Sequence, residues 1–452
     1  MPGLQVPEDP VRDEEFDQAF EQLTRFVDFS GIDQMHPRRE NAVYTTSVVL
    51  WMLIYQRMKT DSSLAQTVKH LLETNPGFLP ENKRIREGTL SGNSGGYSKA
   101  RKRMPLDAVR WFAEFVSDSL INQTPAAFHN RRVFLLDGTT ITLAPEPELQ
   151  RAFPPASNQY GEGVWPIAQL VVAHEMSSGA ALIPEIGCMY GPNAVSETTL
   201  IHQHLKHLPA DSIVMADAGF GIFNVAWSIA NQQHGFVLRM TKSRFASLTK
   251  KARLADDTGD VRTWTHRWEP TAKERKTNDL PTDACLEVTL HEVRINANLT
   301  LLLVTSLADA TADELTDLYA HRVDVEIDIR NLKVVLDTEN IQARSVDTFR
   351  KELYASVISY NLVSQFRRQA ADLISEPPRR LSFKGVWDTY RTFLLRHMFT
   401  DTKQWRAKFR EALSFAMMDK LPNRPGRSFK REAYAKRPKS NQFDKRTRKD
   451  QR

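Results

Sequence analysis

Asp137 and Asp217 each stand at the end of a short apolar run, VFLLD and SIVMAD, and each is followed by glycine within two residues. A carboxylate at a strand end is carried by a rigid sheet yet open to solvent and metal, which suits a catalytic group. Asp-Gly is also a common turn dipeptide, so either aspartate alone says little, while two at matching strand ends say more. A third carboxylate, Glu326, lies in RVDVEIDIRN, Arg322 to Asn331. The alternation of Val323, Val325, Ile327 and Ile329 with Asp324, Glu326 and Asp328 has the period of a half-buried strand. Taken from Asp317 to Leu336, however, the segment reads better as a helix, because Leu318, Val325, Ile329, Leu332 and Leu336 form one apolar stripe. On that wheel Tyr319, Arg322, Glu326, Arg330 and Lys333 fall within an arc of roughly 80°, at about 100° per residue. Such a face would present an aromatic ring, three cations and one carboxylate side by side. It suits a functional site and equally a solvated helix with an ordinary Arg322–Glu326 pair, and spacing leaves both readings open.

The elements that must hold these residues change in texture along the chain. Residues 1–128 read as a helical region, with amphipathic segments near Asp13 to Asp28, Thr45 to Met58, Ser63 to Glu73 and Leu106 to Leu120. Within it GNSGGYSKARKRMP runs from a glycine-rich loop into a cationic segment. Lys99, Arg101, Lys102 and Arg103 either face a DNA groove, as in a helix-turn-helix variant, or form a solvated helix face. No Gly-Lys-Ser/Thr follows the glycines, so a phosphate loop is not expected. Next, VFLLDGTTITL reads as a hairpin turning at Asp-Gly, followed by strands at Gln169 to His174 and Ala181 to Cys188. Ser196 caps a helix through His207; then come the strand ending in Asp217, a helix from Asn224 to Gln233 and a strand Gly235 to Arg239. That order predicts an α/β layer with a mixed sheet. Residues 241–310, rich in Thr, Val, Arg and Trp with short alternating runs, read as a β-rich insertion, and helical patterns return from Ala312 to Arg368 and from Phe383 to Phe415.

Of the 452 residues 41% are hydrophobic, enough for a sizeable core and a prior of two to four domains. No run of about 18 apolar residues occurs, so no membrane-spanning helix is expected. The acidic N-terminal stretch lacks an apolar h-region, and Cys188 and Cys285 are too few for a disulfide framework, so a reducing cytoplasm is the expected compartment. In HQHLKH, His202 and His204 would point roughly 160° apart on a helix, which argues against a shared zinc ion. The formal charge is +6, but residues 424–452 hold twelve Lys and Arg against three acids, a net of +9 that leaves the remainder at about −3. That tail reads as disordered and drawn to a polyanion through counterion release, or else as a solubilising tail.

Tyr319, Arg322, Glu326 and Lys333 fit without gaps the Y-x2-R-x3-E-x6-K signature of DDE transposases of the insertion sequence four family. LLDGTT, Leu135 to Thr140, resembles that family's first-aspartate strand, and MADAGFG, Met215 to Gly221, its second-aspartate block. The resemblance spans Val133 to Lys333 with three blocks in the correct order; GGYSKARKRMP and RPGRSFKREAYAKRPK resemble flanking segments more loosely. It implies an RNase H-like catalytic domain over 129–372, interrupted by the β-rich insertion at about 241–310. A helical DNA-binding region at 1–128, a helical C-terminal region at 373–422 and the basic tail 423–452 would flank it. Asp137, Asp217 and Glu326 would be both the catalytic residues and the ligands of two Mg²⁺ or Mn²⁺ ions, hard cations that favour oxygen donors. Arg322 and Lys333 would hold transposon-end phosphates, with Arg330 beside them, and Tyr319 would pack on the backbone or a distorted terminal nucleotide. Trp264 or Trp268, or neither, would receive an unstacked base, with Trp268 placed among the DNA contacts. The expected partners are terminal inverted repeats and target DNA, bound by a homodimer in a synaptic complex within a bacterial nucleoid. The alternatives are an RNase H-like nuclease that only hydrolyses and a non-catalytic DNA-binding relative.

Overall fold

The computed structural model describes residues 13–422 apart from 27–28, 39–41, 60–61, 75–78, 81, 159–160, 339–340, 342 and 398–401. The basic tail at 423–452 lies outside the described residues. Among the described residues eleven strands occur: β1 Val133–Thr142, β2 Ser157–Asn158, β3 Gly161–Glu162, β4 Ile167–Glu175, β5 Glu185–Cys188, β6 Ile213–Ala216, β7 Gly235–Arg239, β8 Arg253–Asp257, β9 Val261–Trp268, β10 Leu286–Asn296 and β11 Leu299–Thr305. Nine of them form one sheet in the order β5-β4-β1-β6-β7-β11-β10-β9-β8, while β2 and β3 pair separately.

The middle of that sheet is mixed. β1 runs parallel to β6, with Leu135 opposite Met215, and β6 runs parallel to β7; β4 is antiparallel to β1. All four residues of β6 are buried, as a strand covered on both faces should be. The expected hairpin at Asp137-Gly138 does not form. β1 continues straight through, with Asp137 opposite Val172 and Gly138 opposite Val171 in unbroken register. Pairing with nine residues of β4 outweighs the local turn preference, and the Glu197 carboxylate packs over the strand at Gly138.

The four strands β8 to β11 extend the same sheet through the antiparallel pairing of β11 with β7. On the N-terminal side the helix Thr46–Met58, capped by Thr45 Oγ1 accepting from Val48 N–H, is buried almost all round. The 27-residue helix Val346–Asp372 is likewise buried along nearly its whole length and packs against Thr46–Met58 and Leu106–Asn122. A helix apolar or buried on every side belongs inside a larger body, so the helical region and the sheet share one core.

The segment after Ala312 is helical, and the alternating charges do not make a strand. It is nonetheless two helices, Ala312–Ala320 and Arg322–Arg330, bent at His321, followed by a single π-turn at Asn331–Val335. Leu318, Val325, Leu332 and Leu336 of the anticipated stripe are buried, and Ile329 is half-buried. The β-branched residues from Val323 to Ile329 lie within the unbroken second helix, so their lower helix propensity does not place the break at His321.

Candidate active site

β1 and β6 run parallel and side by side, so Asp137, two residues beyond the Leu135–Met215 pair, and Asp217, two beyond Met215, emerge at the same level of the sheet. Each carboxylate is steadied by its own backbone: Gly138 N–H donates to Asp137 Oδ1 at 2.9 Å, and Gly219 N–H to Asp217 Oδ1 at 2.8 Å. The last glycine of MADAGFG is required by close approach, since a Cβ on Gly221 would lie 2.1 Å from the Arg239 carbonyl oxygen at the end of β7.

The helix Arg322–Arg330 crosses this end of the sheet and supplies both Glu326 and a cation that joins the three acids. Arg322 Nη1 donates to Glu326 Oε1 at 2.6 Å and Nη2 to Asp137 Oδ2 at 3.1 Å, and Nη2 lies 3.9 Å from Asp217 Oδ2. The Arg322 side chain is 14% exposed, Asp137 20%, and Asp217 and Glu326 43% each. Burial acts against the charge of Arg322, but Asp137, Tyr319, Glu326 and Asp217 outweigh it and its pKa is raised. Burial also pushes the Asp137 carboxyl upward; Arg322 and the Gly138 N–H oppose this, while Asp217 and Glu326 add to it. Among the described residues no three acidic, histidine or cysteine side chains close directly on a single point, so the acids are gathered through the guanidinium. Their donor set is entirely carboxylate oxygen, which fits a hard divalent cation.

The other candidates divide between those that reach this site and those that do not. Lys333, displaced by the π-turn from its place on a regular helix, lies 3.3 Å from Thr139 Oγ1 and 3.2 Å from the Thr140 carbonyl, just beyond Asp137 on β1. Arg330 is exposed on the same helix. Tyr319 is 7% exposed, and its hydroxyl donates to the Ala216 carbonyl at 3.4 Å, immediately before Asp217. Burial raises its pKa to about 12. Trp268 is 5% exposed and packs edge-on against Phe223, and half-buried Trp264 packs edge-on against Phe245.

On the helix Gly95–Arg103, Lys99, Lys102 and Arg103 are exposed, whereas Arg101 turns inward to Glu352 Oε1 at 2.9 Å. A single buried acid on a distant helix decides which of these four cations is taken up internally. The histidines of HQHLKH form no metal group, and His204 is fully buried. Arg239 at the exposed end of β7, whose charge acts on the Tyr319 hydroxyl, and Arg244, which donates to the Ala218 carbonyl at 2.8 Å, border the Asp217 turn. For Arg239 the available signal in the sequence was a cation closing a buried strand; Arg244, within the helix Lys242–Thr249, carried none.

Asp137 thus lies midway along β1 and Asp217 just past the end of β6, with Glu326 beside them on the covering helix. Residues 128–362, just over half of the chain, match the family model described as the transposase DDE domain, and the chain belongs to that family, within its insertion sequence four branch. It is 23% identical over 422 residues, 91% of this chain and 89% of the relative, to the transposase InsG for insertion sequence element IS4 of Escherichia coli (strain K12). A solved structure, the cryo-EM piggyBac transposase synaptic complex with hairpin DNA, aligns over 94% of this chain and 90% of that one at 11% identity, with a TM-score of 0.40.

Proposed function

We propose that this transposase cuts DNA at transposon ends and joins the freed 3′ ends to target DNA, with Asp137, Asp217 and Glu326 as its catalytic carboxylates. One observation carries the proposal: three acids from two strands and a helix meet on the single guanidinium of Arg322. Acids held that close, with 43% of Asp217 and Glu326 open to solvent, are suited to binding cations rather than to stabilising the fold. The five strands β5-β4-β1-β6-β7, with β4 alone antiparallel beside β1 and the parallel pairs inside, support an RNase H-like reading of the catalytic sheet.

Bound between the three acids, two Mg²⁺ or Mn²⁺ ions would supply activation of the attacking oxygen and stabilisation of the leaving 3′-oxygen. The protein's share is placement. Asp137 and Asp217 are fixed by the sheet and their own backbone N–H groups; Glu326 is delivered by the crossing helix. Arg322, the guanidinium among the acids, would give the reacting phosphate a bidentate partner once released from them. Lys333 and the exposed Arg330, Lys99, Lys102 and Arg103 are proposed phosphate contacts along the transposon end, sequence-independent and salt-sensitive. Tyr319, by contrast, is proposed to steady the Ala216–Asp217 turn from beneath. A homodimer holding two ends is the assembly in which both ends would reach one target.

The test follows a labelled transposon end with Mg²⁺ on a denaturing gel, resolving nick, hairpin and fully cut product. Asp137→Ala, Asp217→Ala and Glu326→Ala should each abolish nicking while retaining end binding. Near-normal divalent-dependent cleavage by any one of them refutes the triad. Wild type that nicks and goes no further would leave hydrolysis alone as the activity.

A further inference from the structure

The face of the Arg322–Arg330 helix opposite Glu326 is unusual. Asp324 and Asp328 lie about 40° apart on the helix wheel, and Glu326 about 160° from each. Asp328 is completely buried. Its carboxylate receives both terminal nitrogens of Arg379, at 3.2 Å to Oδ1 and 2.8 Å to Oδ2, and the hydroxyl of Tyr360. Arg379 Nε lies 3.2 Å from Asp324 Oδ2, so one guanidinium grips two successive turns of the helix. The surroundings are rigid: Tyr360, on the long buried helix, stacks on Phe383 at 5.0 Å and meets the ring of fully buried His174 of β4 at 5.4 Å.

An apolar contact would hold a helix to a sheet as firmly, because buried ion pairs seldom add stability over well-packed hydrophobic groups. What a bidentate pair adds is a defined rotation about the helix axis. For a helix of about 5–6 Å radius including side chains, a rotation of 10° moves a carboxylate by about 1 Å. A misplacement of that size can cost about 100-fold in rate. Arg379 also lies beyond the 128–362 region matched by the family model, in the short turn Pro378–Arg380 that follows the long helix.

We propose that Arg379 is a positioning residue for Glu326: by gripping Asp324 and Asp328 it sets the rotation of the catalytic helix, so the segment after the DDE domain completes the active site. This rests on Glu326 being catalytic. Removing Arg379 alone leaves Asp328 buried and unpaired, so the informative variant is the double Arg379→Met, Asp328→Leu, which removes both charges. It should melt near wild type and bind transposon-end DNA normally, yet nick about 100-fold more slowly and bind Mn²⁺, followed by electron paramagnetic resonance, about 10-fold more weakly. A double variant that melts normally and keeps wild-type nicking and Mn²⁺ affinity overturns the proposal. Should it fail to fold, Arg379→Lys decides: it keeps the charge but loses the fork, so nicking should fall about 10-fold in Mg²⁺ at unchanged melting temperature, and a wild-type rate refutes the assignment. Glu326→Ala in the same assay separates the two ideas, because nicking by that control sinks the triad itself whatever Arg379 does.

Discussion

Arg322 lies where divalent cations would be drawn, so removing it should strengthen metal binding. The perturbation is Arg322→Ala, measured without DNA. In the wild type, Nη1 to Glu326 at 2.6 Å and Nη2 to Asp137 at 3.1 Å are charge-assisted hydrogen bonds, and the 3.9 Å approach to Asp217 adds a weaker attraction. A hydrogen bond to a charged group contributes about 1.5–3 kcal/mol when sheltered, and an exposed ion pair about 0.2–1 kcal/mol. Asp137 is the sheltered partner and the other two are 43% exposed, so they take the lower figure. The low end of that sum, about 2 kcal/mol, must then be given up before the acids turn to a cation, which corresponds to about a 30-fold change in affinity. Calorimetric titration with Mn²⁺ should therefore find Arg322→Ala binding about 30-fold more tightly than wild type. Reciprocal linkage adds a second expectation: end DNA that draws Arg322 onto a phosphate should tighten Mn²⁺ binding in the wild type and have little effect in the variant. The same variant should form the first nick and stall before hairpin and release, because the phosphate partner is gone. Equal or weaker Mn²⁺ affinity in Arg322→Ala refutes the reasoning.

The Asp137 carboxyl is raised above its ordinary value of 3.8, chiefly by burial, so the folded state holds that proton more tightly than the unfolded state. Its contribution to stability is therefore lost as pH rises from 3.8 toward the folded value, and the melting curve of Asp137→Asn should gain on wild type through that window; a constant difference contradicts the shift. Glu352, buried between Arg101 at 2.9 Å and Arg57 at 3.7 Å, should cost about 3–5 kcal/mol in denaturant unfolding when changed to Gln. By the same geometry Arg101→Ala should lower stability more than DNA affinity, and Lys102→Ala the reverse. Deleting residues beyond Pro425 should weaken DNA binding across sequences and flatten its dependence on log salt, since up to about a dozen phosphate contacts would go; an unchanged slope in gel shifts would return the tail to a solubilising role.

Local chemistry was legible in the amino-acid sequence. The Ser196 cap is present, with its hydroxyl accepting from Thr199 N–H, and the helix from Ala312 was recoverable from its apolar stripe in spite of alternating charges. The buried run ending in Asp217 is a strand as read, because period and capping act over a few residues. Tertiary pairing decided the rest. Nine partners on β4 turned the anticipated Asp137-Gly138 hairpin into one straight strand, and β11 found β7 and so carried the β-rich segment into the central sheet. The inward turns of Tyr319, Trp268 and Arg101 were hidden because their partners, Ala216, Phe223 and Glu352, lie 103, 45 and 251 residues away. The grip of Arg379 on Asp328, across 51 residues, was hidden for the same reason. A wheel shows which residues share a face; which neighbour that face meets depends on the burial and charge balance of the folded whole, and these exist only once distant segments have packed.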